Sequence, residues 1–287
     1  AFLAVASTCF DISLSELLLP LVTGARVVVC PDTARHDGHE LRAELLRQGI
    51  TALQATPATW RLLLAGGWPG DAGLLAICTG EALLGELANT LLPRCRLLWN
   101  LYGPTETTIW STGAVMRPGE SVSIGRPLAN TQIHILDAHG QPAPIGVPGE
   151  LFIGGDGLAR GYRNRPDLTA ERFVPCPSEF GDGRMYRTGD RCRWRASGDI
   201  EFLGRLDHQI KLRGFRVEPG EIESLLRKQP QVREAAVLVR EDAAGDTRLV
   251  AYVAAESAID AKVLRAILSQ QLPDYMIPAA FVRLPSL

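Results

Sequence analysis

The stretch RLLWNLYGPTETT, residues 96–108, decides how the first part of the chain folds. Arg96–Leu101 is an apolar run of strand length, and the Gly103-Pro104 pair stops it. Two similar runs, Ala25–Cys30 and Leu74–Thr79, precede it. Between and beside them lie amphipathic stretches of helical length: Glu40–Gln48, Thr59–Ala65 and Leu84–Leu92. Strands alternating with helices imply parallel βαβ units. Residues 1–115 are therefore expected to form a parallel α/β half-subdomain.

The texture changes at Met116. From there to residue 206 glycine and proline are frequent and the apolar runs are short: Gln132–Leu136, Glu150–Ile153, Arg191–Trp194 and Ile200–Leu203. Turn signals such as AHGQPAP and ASGD separate them, which reads as a small antiparallel β subdomain, barrel or sandwich. A third pattern fills 207–287. PGEIESLLRKQ has proline in its first turn and early carboxylates, as helix starts do. Two strands, Arg233–Arg240 and Arg248–Ala255, follow, then a helix from Asp260 to Leu272 that Pro273 ends. The expected fold class is α/β plus α+β, closing with a small C-terminal α+β domain.

Composition narrows the function classes. With 46% apolar residues, 22% charged residues and a net charge of −2, the 287-residue chain can bury a core. It has neither the charge of a tail-driven nucleic-acid binder nor the polarity of a disordered segment. The apolar run Leu17–Val22 contains Pro20, and no apolar run in the chain is long enough to span a bilayer. Neither nucleic acid nor membrane is expected as a partner. No basic-then-apolar leader is present, so a cytoplasmic location is expected. The six cysteines, Cys9, Cys30, Cys78, Cys95, Cys176 and Cys192, include no C-x-x-C pair and read as reduced thiols. The chain opens inside an apolar run without an initiator methionine, and is expected to be a piece of a longer polypeptide.

Several short segments have two readings each. In NLYGPTETT (100–108), a Gly-Pro turn with Thr105, Thr107 and Thr108 suits polyphosphate, and Glu106 offers oxygen to Mg²⁺; the same residues also suit a plain threonine-capped turn. GGDGLARG (154–161) is a glycine-rich loop after a strand. No helix follows it at once, so glycines for tight turns are favoured over dinucleotide binding. In YRTGD (186–190), Asp190 is either an ordinary turn residue or an acceptor for a vicinal diol such as ribose. Arg184, Arg187, Arg191, Arg193 and Arg195, continued by Arg205, His208, Lys211, Arg213 and Arg216, form either a phosphate-binding face or a solvated face balanced by nearby acids. His36 and His39 beside Asp32, Asp37 and Glu40 have metal-like composition but sit in a loop. In FDISLSE (10–16), Asp11 is either a helix N-cap or a buried partner for a ligand cation.

Taken in order, FDISLSE, NLYGPTETT, GELFIGGDGLARGY (149–162), YRTGD and GRLDHQIKLRGFRVEPGEIE (204–223) resemble the core motifs of nonribosomal peptide synthetase adenylation domains. These belong to the adenylate-forming superfamily, with acyl-CoA synthetases and luciferases. The resemblance runs the whole length of the chain. It implies that an amino acid carboxylate attacks the α-phosphate of ATP with Mg²⁺ and releases pyrophosphate. The adenylate then passes to a phosphopantetheine thiol on a carrier domain of the same synthetase, beside condensation domains.

Residue by residue, the resemblance implies that Glu106 ligands Mg²⁺ and Thr105 contacts phosphate. Asn100 and Tyr102 line the adenine site near the Gly80-Glu81 turn. Asp190 holds the ribose hydroxyls, helped by Arg205. Asp207 is the hinge between the large and small domains. Lys211 and Gly214 belong to the surface used in the thiolation state. Asp11 pairs with the α-ammonium, in a pocket completed by Ile12, Ser15, Gln54, Ile77, Thr79, Leu101, Ile109 and Trp110. The bulk of Leu101, Ile109 and Trp110 implies a small substrate, glycine first and alanine second. Ser15 and Thr79 depart from the family's glycine pattern and keep serine open. The family's phosphate loop is expected upstream of FDISLSE and its C-terminal lysine beyond LPSL, so the parent is expected to be active and this piece alone inactive. An acyl-CoA ligase is the rival that Asp11 disfavours; a non-catalytic remnant is the other.

Overall fold

The computed structural model describes residues 1–177, 183–207, 209–212, 215–241, 247–255 and 260–287. His208, Arg213 and Gly214 lie outside the described residues. The chain divides into two compact units, Ala1–Leu206 and Asp207–Leu287.

The first unit is built on a seven-stranded sheet in the order β2-β1-β3-β4-β5-β6-β7. Strands β1 (Phe2–Ala4), β2 (Val27–Val29), β3 (Ala52–Ala55), β4 (Asp71–Cys78) and β5 (Cys95–Tyr102) are parallel to one another. Strands β6 (Thr112–Val115) and β7 (Arg126–Pro127) join antiparallel. Five helices connect the parallel strands: α1 (Ile12–Val22), α2 (Asp32–Arg35), α3 (Gly38–Gln48), α4 (Pro57–Ala65) and α5 (Gly85–Leu91). The sequence marks their starts. Asp37 caps α3 by accepting from the His39 and Glu40 amides at 2.8 and 3.1 Å. Thr56 caps α4, with Pro57 in its first turn.

Strand alternation then divides the sheet's two faces. Leu53, Ala55, Leu74, Ala76, Cys78 and Leu98 join the main core with Leu41, Trp60, Leu63 and Leu91. Their neighbours Ile77, Trp99 and Leu101 turn to a second cluster with Phe2 and Trp110. The Trp60 indole donates to the Ile77 carbonyl at 3.2 Å and fixes the end of β4 from the core side.

The same unit carries a second, antiparallel sheet. Strands β8 (Thr131–Leu136), β9 (Gly149–Gly155), β10 (Phe173–Pro175) and β11 (Arg184–Trp194) run in the order β10-β11-β9-β8, with β12 (Ile200–Arg205) on β11. Helix α6 (Pro166–Arg172) sits between β9 and β10 in sequence. The register of β11 on β9 slips between Arg187 and Arg191, so the strand bulges at the Thr188-Gly189-Asp190 turn.

In the second unit, β13 (Ile210–Leu212) and β14 (Phe215–Val217) form a hairpin. Strands β15 (Glu234–Glu241), β16 (Thr247–Ala254) and β17 (Ala280–Leu284) form a mixed sheet, β16 antiparallel to β15 and parallel to β17. Helices α7 (Pro219–Arg227) and α8 (Ala261–Ser269) bury Ile222, Leu225, Leu226, Leu264 and Leu268 against it. The α/β plus α+β class expected from the sequence is the class observed. The strand expected over Ala25–Cys30 narrows to Val27–Val29 at the sheet edge, and β17 was not foreseen.

Candidate functional site

At the carboxyl ends of β3, β4 and β5, Gln54 lies beside Ile77 and Ile77 beside Trp99 in register. Crevices at this end of parallel sheets are where ligands bind in open α/β folds. Ile77 and Leu101 are buried there with Trp110 packed on them. Thr79, just past β4, is buried and tied by its amide to the Ala55 carbonyl at 3.2 Å.

Helix α1 supplies a polar wall. The Ser15 hydroxyl donates to the Ile12 carbonyl at 2.6 Å and lies 3.1 Å from the Gln54 amide oxygen. The Gln54 amide nitrogen donates to the Ile12 carbonyl at 3.2 Å and to Glu16 at 3.3 Å. Ile12, Ser15 and Gln54 are thus one hydrogen-bonded group. Glu16 completes it and was missed in the sequence. It is 1% exposed and accepts the Ala6 amide at 2.8 Å. Burial raises its carboxyl to about 7, against smaller opposing effects of the Ala6 amide and Gln54. The available signal was its position: Glu16 falls one helical turn after Ile12, next to Ser15, on a face the helix must bury.

Asp11 stands at the N-cap position of α1 but does not cap it. Its backbone is already helical at φ −62°, ψ −29°, and its side chain makes no cap hydrogen bond. One carboxylate oxygen, Oδ2, is buried without a hydrogen-bond partner, as is the Trp110 indole nitrogen. Buried polar atoms are normally paired, so an orphan carboxylate oxygen calls for an explanation.

The loop after β5 holds the next group. Thr105–Thr107 forms a short 3-10 turn with Glu106 and Thr107 buried and Thr105 exposed. Thr108 and Ile109 both have left-handed backbone, at φ 62° and 66°. That conformation is costly for β-branched side chains and persists where surroundings fix it. Here the Thr107 and Ser111 hydroxyls lie 2.7 Å apart, and the Ser111 amide donates to the Tyr102 carbonyl at 2.8 Å. Glu106 accepts from the Tyr162 hydroxyl at 2.5 Å. Tyr162 was also missed; its place at the end of the glycine-rich loop was the only hint. Magnesium is commonly held by one or two carboxylates with phosphates and waters completing the shell. A single buried carboxylate at a hydroxyl-bearing turn fits that pattern. No cluster of three or more metal-type side chains occurs among the described residues, His36 and His39 included.

The bulge of β11 holds the third group. Asp190 is buried, accepts from the Tyr102 hydroxyl, and pairs with Arg205 at 2.9 Å. Arg205 also donates to the Thr188 carbonyl at 3.1 Å. Asp190 and Arg205 are register partners across β11 and β12, and the Leu206 amide donates to the Gly189 carbonyl at 2.8 Å. Burial and the Asp190 charge push the Tyr102 phenol well above its usual range, so it is a fixed donor. Asn100, buried on β5, donates to the Ser123 carbonyl at 2.7 Å. Gly80 follows Thr79 in a left-handed turn beside Thr56, and Glu81 is half-buried.

Asp207 opens the second unit and accepts the Gln209 amide at 3.2 Å. Lys211 is the central residue of β13, opposite Arg216. Three arginines on or just after β11 meet acids: Arg187 meets Glu150 at 2.9 Å, and Arg193 and Arg195 meet Glu201 at 2.9 and 3.3 Å, whereas Arg184 donates to the Arg160 carbonyl at 3.1 Å. Arg187, Arg193 and Arg195 are thus charge-balanced. All six cysteines are free thiols. Among the described residues no helix is long and apolar enough to cross a membrane.

The parallel strand ends, the Glu106 turn and the buried Asp190–Arg205 pair all lie in the first unit. The chain belongs to the AMP-binding enzyme family, whose pattern matches residues 1–163; that of the AMP-binding enzyme C-terminal domain matches 221–287. Within that family it is an adenylation domain of the nonribosomal peptide synthetase kind. It is 48% identical over 287 residues to a dimodular nonribosomal peptide synthase of Bacillus subtilis (strain 168), covering 99% of this chain and 12% of that relative. Among solved structures it is similar to a holo four-domain nonribosomal peptide synthetase bound to AMP and glycine. That match has 48% identity and a TM-score of 0.70, covering 99% of this chain and 22% of the other. It is also similar to the Vibrio cholerae adenylation domain AlmE in complex with glycyl-adenosine-5'-phosphate. There the identity is 28% and the TM-score 0.89, covering 100% of this chain and 56% of the other.

Proposed function

We propose that the chain is the part of a synthetase module that activates a small amino acid with ATP, glycine or alanine first and serine next. The adenylate is then passed to the phosphopantetheine thiol of a carrier domain in the same cytoplasmic synthetase. The observation that carries the reading is the buried, unpartnered oxygen of Asp11, which matches the ammonium of an α-amino acid. The apolar face of Ile77, Leu101 and Trp110 leaves a charged side chain without a partner and favours a small one. The two similar structures, one bound to AMP and glycine and one in complex with glycyl-adenosine-5'-phosphate, support the same choice.

In this reading Asp190 receives the ribose diol. A carboxylate offers about four acceptor positions, and Tyr102 and Arg205 take two. Thr105 contacts phosphate, while Asn100, Tyr102, Gly80 and Glu81 frame the adenine. Glu106 would hold Mg²⁺, which when bound offsets charge on the phosphate oxygens. The chain's own part is positioning: it aligns the carboxylate with the α-phosphate and excludes water. The division into 1–115, 116–206 and 207–287, the hinge at Asp207 and the thiolation role of Lys211 belong to the same proposal.

The test is pyrophosphate exchange by the intact protein with each common amino acid, beside Trp110→Ala. Glycine, alanine and serine should lead, and Trp110→Ala should admit larger side chains. Discrimination by one methylene is worth about 1–3 kcal/mol, so the preferred substrate should lead its neighbours by roughly tenfold or more. Phenylalanine or leucine leading in the native enzyme refutes the small-pocket reading.

A further inference from the structure

The glycine-rich loop 154–161 found no use in the site described above, although it lies directly on the Glu106 turn. The Thr108 hydroxyl donates to the Gly157 carbonyl at 2.6 Å, and the Ala159 amide donates to the Glu106 carbonyl at 2.8 Å. A side chain at Gly157 would stand 2.8 Å from the Thr107 carbonyl, so glycine is what permits this approach. The loop ends in Tyr162, whose hydroxyl meets the Glu106 carboxylate.

Tyr162 is itself held from three sides. Its amide donates to the Thr169 hydroxyl at 2.9 Å. Its ring meets Phe173 edge-on at 5.5 Å. Its hydroxyl lies 3.4 Å from that of the fully buried Tyr186. An aromatic ring with two torsions, packed in this way, delivers its hydroxyl to one place.

We propose that loop 154–161 clamps the Glu106 turn and that Tyr162 is a positioning residue, orienting the Glu106 carboxylate for a divalent cation. The proposal rests on the reading that Glu106 holds Mg²⁺. The phenol takes one carboxylate oxygen and so fixes the plane of the group. The left-handed pair Thr108-Ile109 is kept in place by the same loop, which ties the turn to the wall of the amino acid pocket. Hydrogen-bond partners of a metal-binding carboxylate commonly matter by about 10–100-fold in metal affinity.

The experiment uses the intact protein and calorimetry with a non-hydrolysable ATP analogue, once with Mg²⁺ and once with EDTA. The ratio of the two affinities is the gain due to metal. Tyr162→Phe keeps the ring and removes only the hydroxyl, and should reduce that gain about tenfold or more with the EDTA affinity unchanged. Glu106→Gln should abolish the gain, and the double variant should lose no more than Glu106→Gln alone. A wild-type gain in Tyr162→Phe overturns the proposal, as does an equal loss in EDTA, which would make Tyr162 a wall of the nucleotide pocket. A wild-type gain in Glu106→Gln overturns the metal reading of Glu106 itself. Circular dichroism checks that each variant folds. If Tyr162→Phe does not, Thr108→Val breaks the clamp bond to Gly157 and carries the same test. An undiminished metal gain in that variant then overturns the clamp.

Discussion

Asp11 and Asp190 are both aspartates of the first unit, and their surroundings are opposites. Asp190 is bonded from within: Tyr102 and Arg205 each take one of its oxygens, and the bulge of β11 fixes its backbone. Asp11 has a buried oxygen with no partner at all. One carboxylate is part of the fold's own bonding and is available to a ligand only at its remaining lone pairs. The other is left incomplete by the fold. The difference teaches that an orphan polar atom marks a ligand contact more sharply than a well-bonded one. A satisfied carboxylate has a structural role whether or not a ligand arrives.

Substitutions separate the two kinds. Asp11→Ala should give the largest loss of amino-acid-dependent pyrophosphate exchange. Truncating one partner of a buried charge pair costs about 2–5 kcal/mol, or roughly thirty- to a few-thousand-fold in kcat/KM. Chemical denaturation of the same variant should give stability within about 0.5 kcal/mol of wild type, because no internal hydrogen bond is removed. A destabilised yet active Asp11→Ala breaks the contrast. Asp190→Ala should lose at least about tenfold in exchange and, unlike Asp11→Ala, about 3 kcal/mol of stability, since Arg205 keeps its charge without its partner. A stable, inactive Asp190→Ala would place Asp190 in the class of Asp11.

Glu16 sharpens the contrast with a third case, a carboxyl that keeps its proton. The folded protein holds that proton up to pH about 7, while the unfolded chain releases it near 4.5. The contribution of Glu16 to stability is therefore complete below pH 4.5 and is lost as the pH rises to 7. Glu16→Gln has no proton to lose. Its stability relative to wild type should rise by up to about 3 kcal/mol between pH 4 and 8, read by urea denaturation at the two pH values. A difference independent of pH would mean that Glu16 is ionised in the folded protein.

Much of this was legible in the chain. The βαβ alternation around Leu74–Thr79 and Arg96–Leu101 is a period signal, and the structure keeps it. The run of motifs from FDISLSE onward names Ile77, Leu101 and Trp110 as neighbours, and the structure packs these side chains together. Other features were hidden for physical reasons. The capping reading of Asp11 does not hold because the helical backbone already begins there, a matter of dihedral angles that residue type does not reveal. Glu16 was missed because burial of a carboxyl depends on which helix face meets the sheet. Tyr162 was missed because its partner, Glu106, is 56 residues away in sequence. The strand β17 pairs parallel to β16, a long-range contact with no local turn to announce it.

The joint of β11 with β12 has a mechanical meaning as well. The chain leaves the first unit at Leu206, whose amide is bonded to Gly189, one residue after the Asp190–Arg205 rung. A pull along the chain from Asp207 would meet the bond at Leu206 first and the ion pair next. The tether is thus riveted at its root to the very aspartate assigned to the ribose. Load entering there meets Leu206 and Arg205, with their contacts to Gly189 and Asp190, before the remaining rungs of β12 on β11.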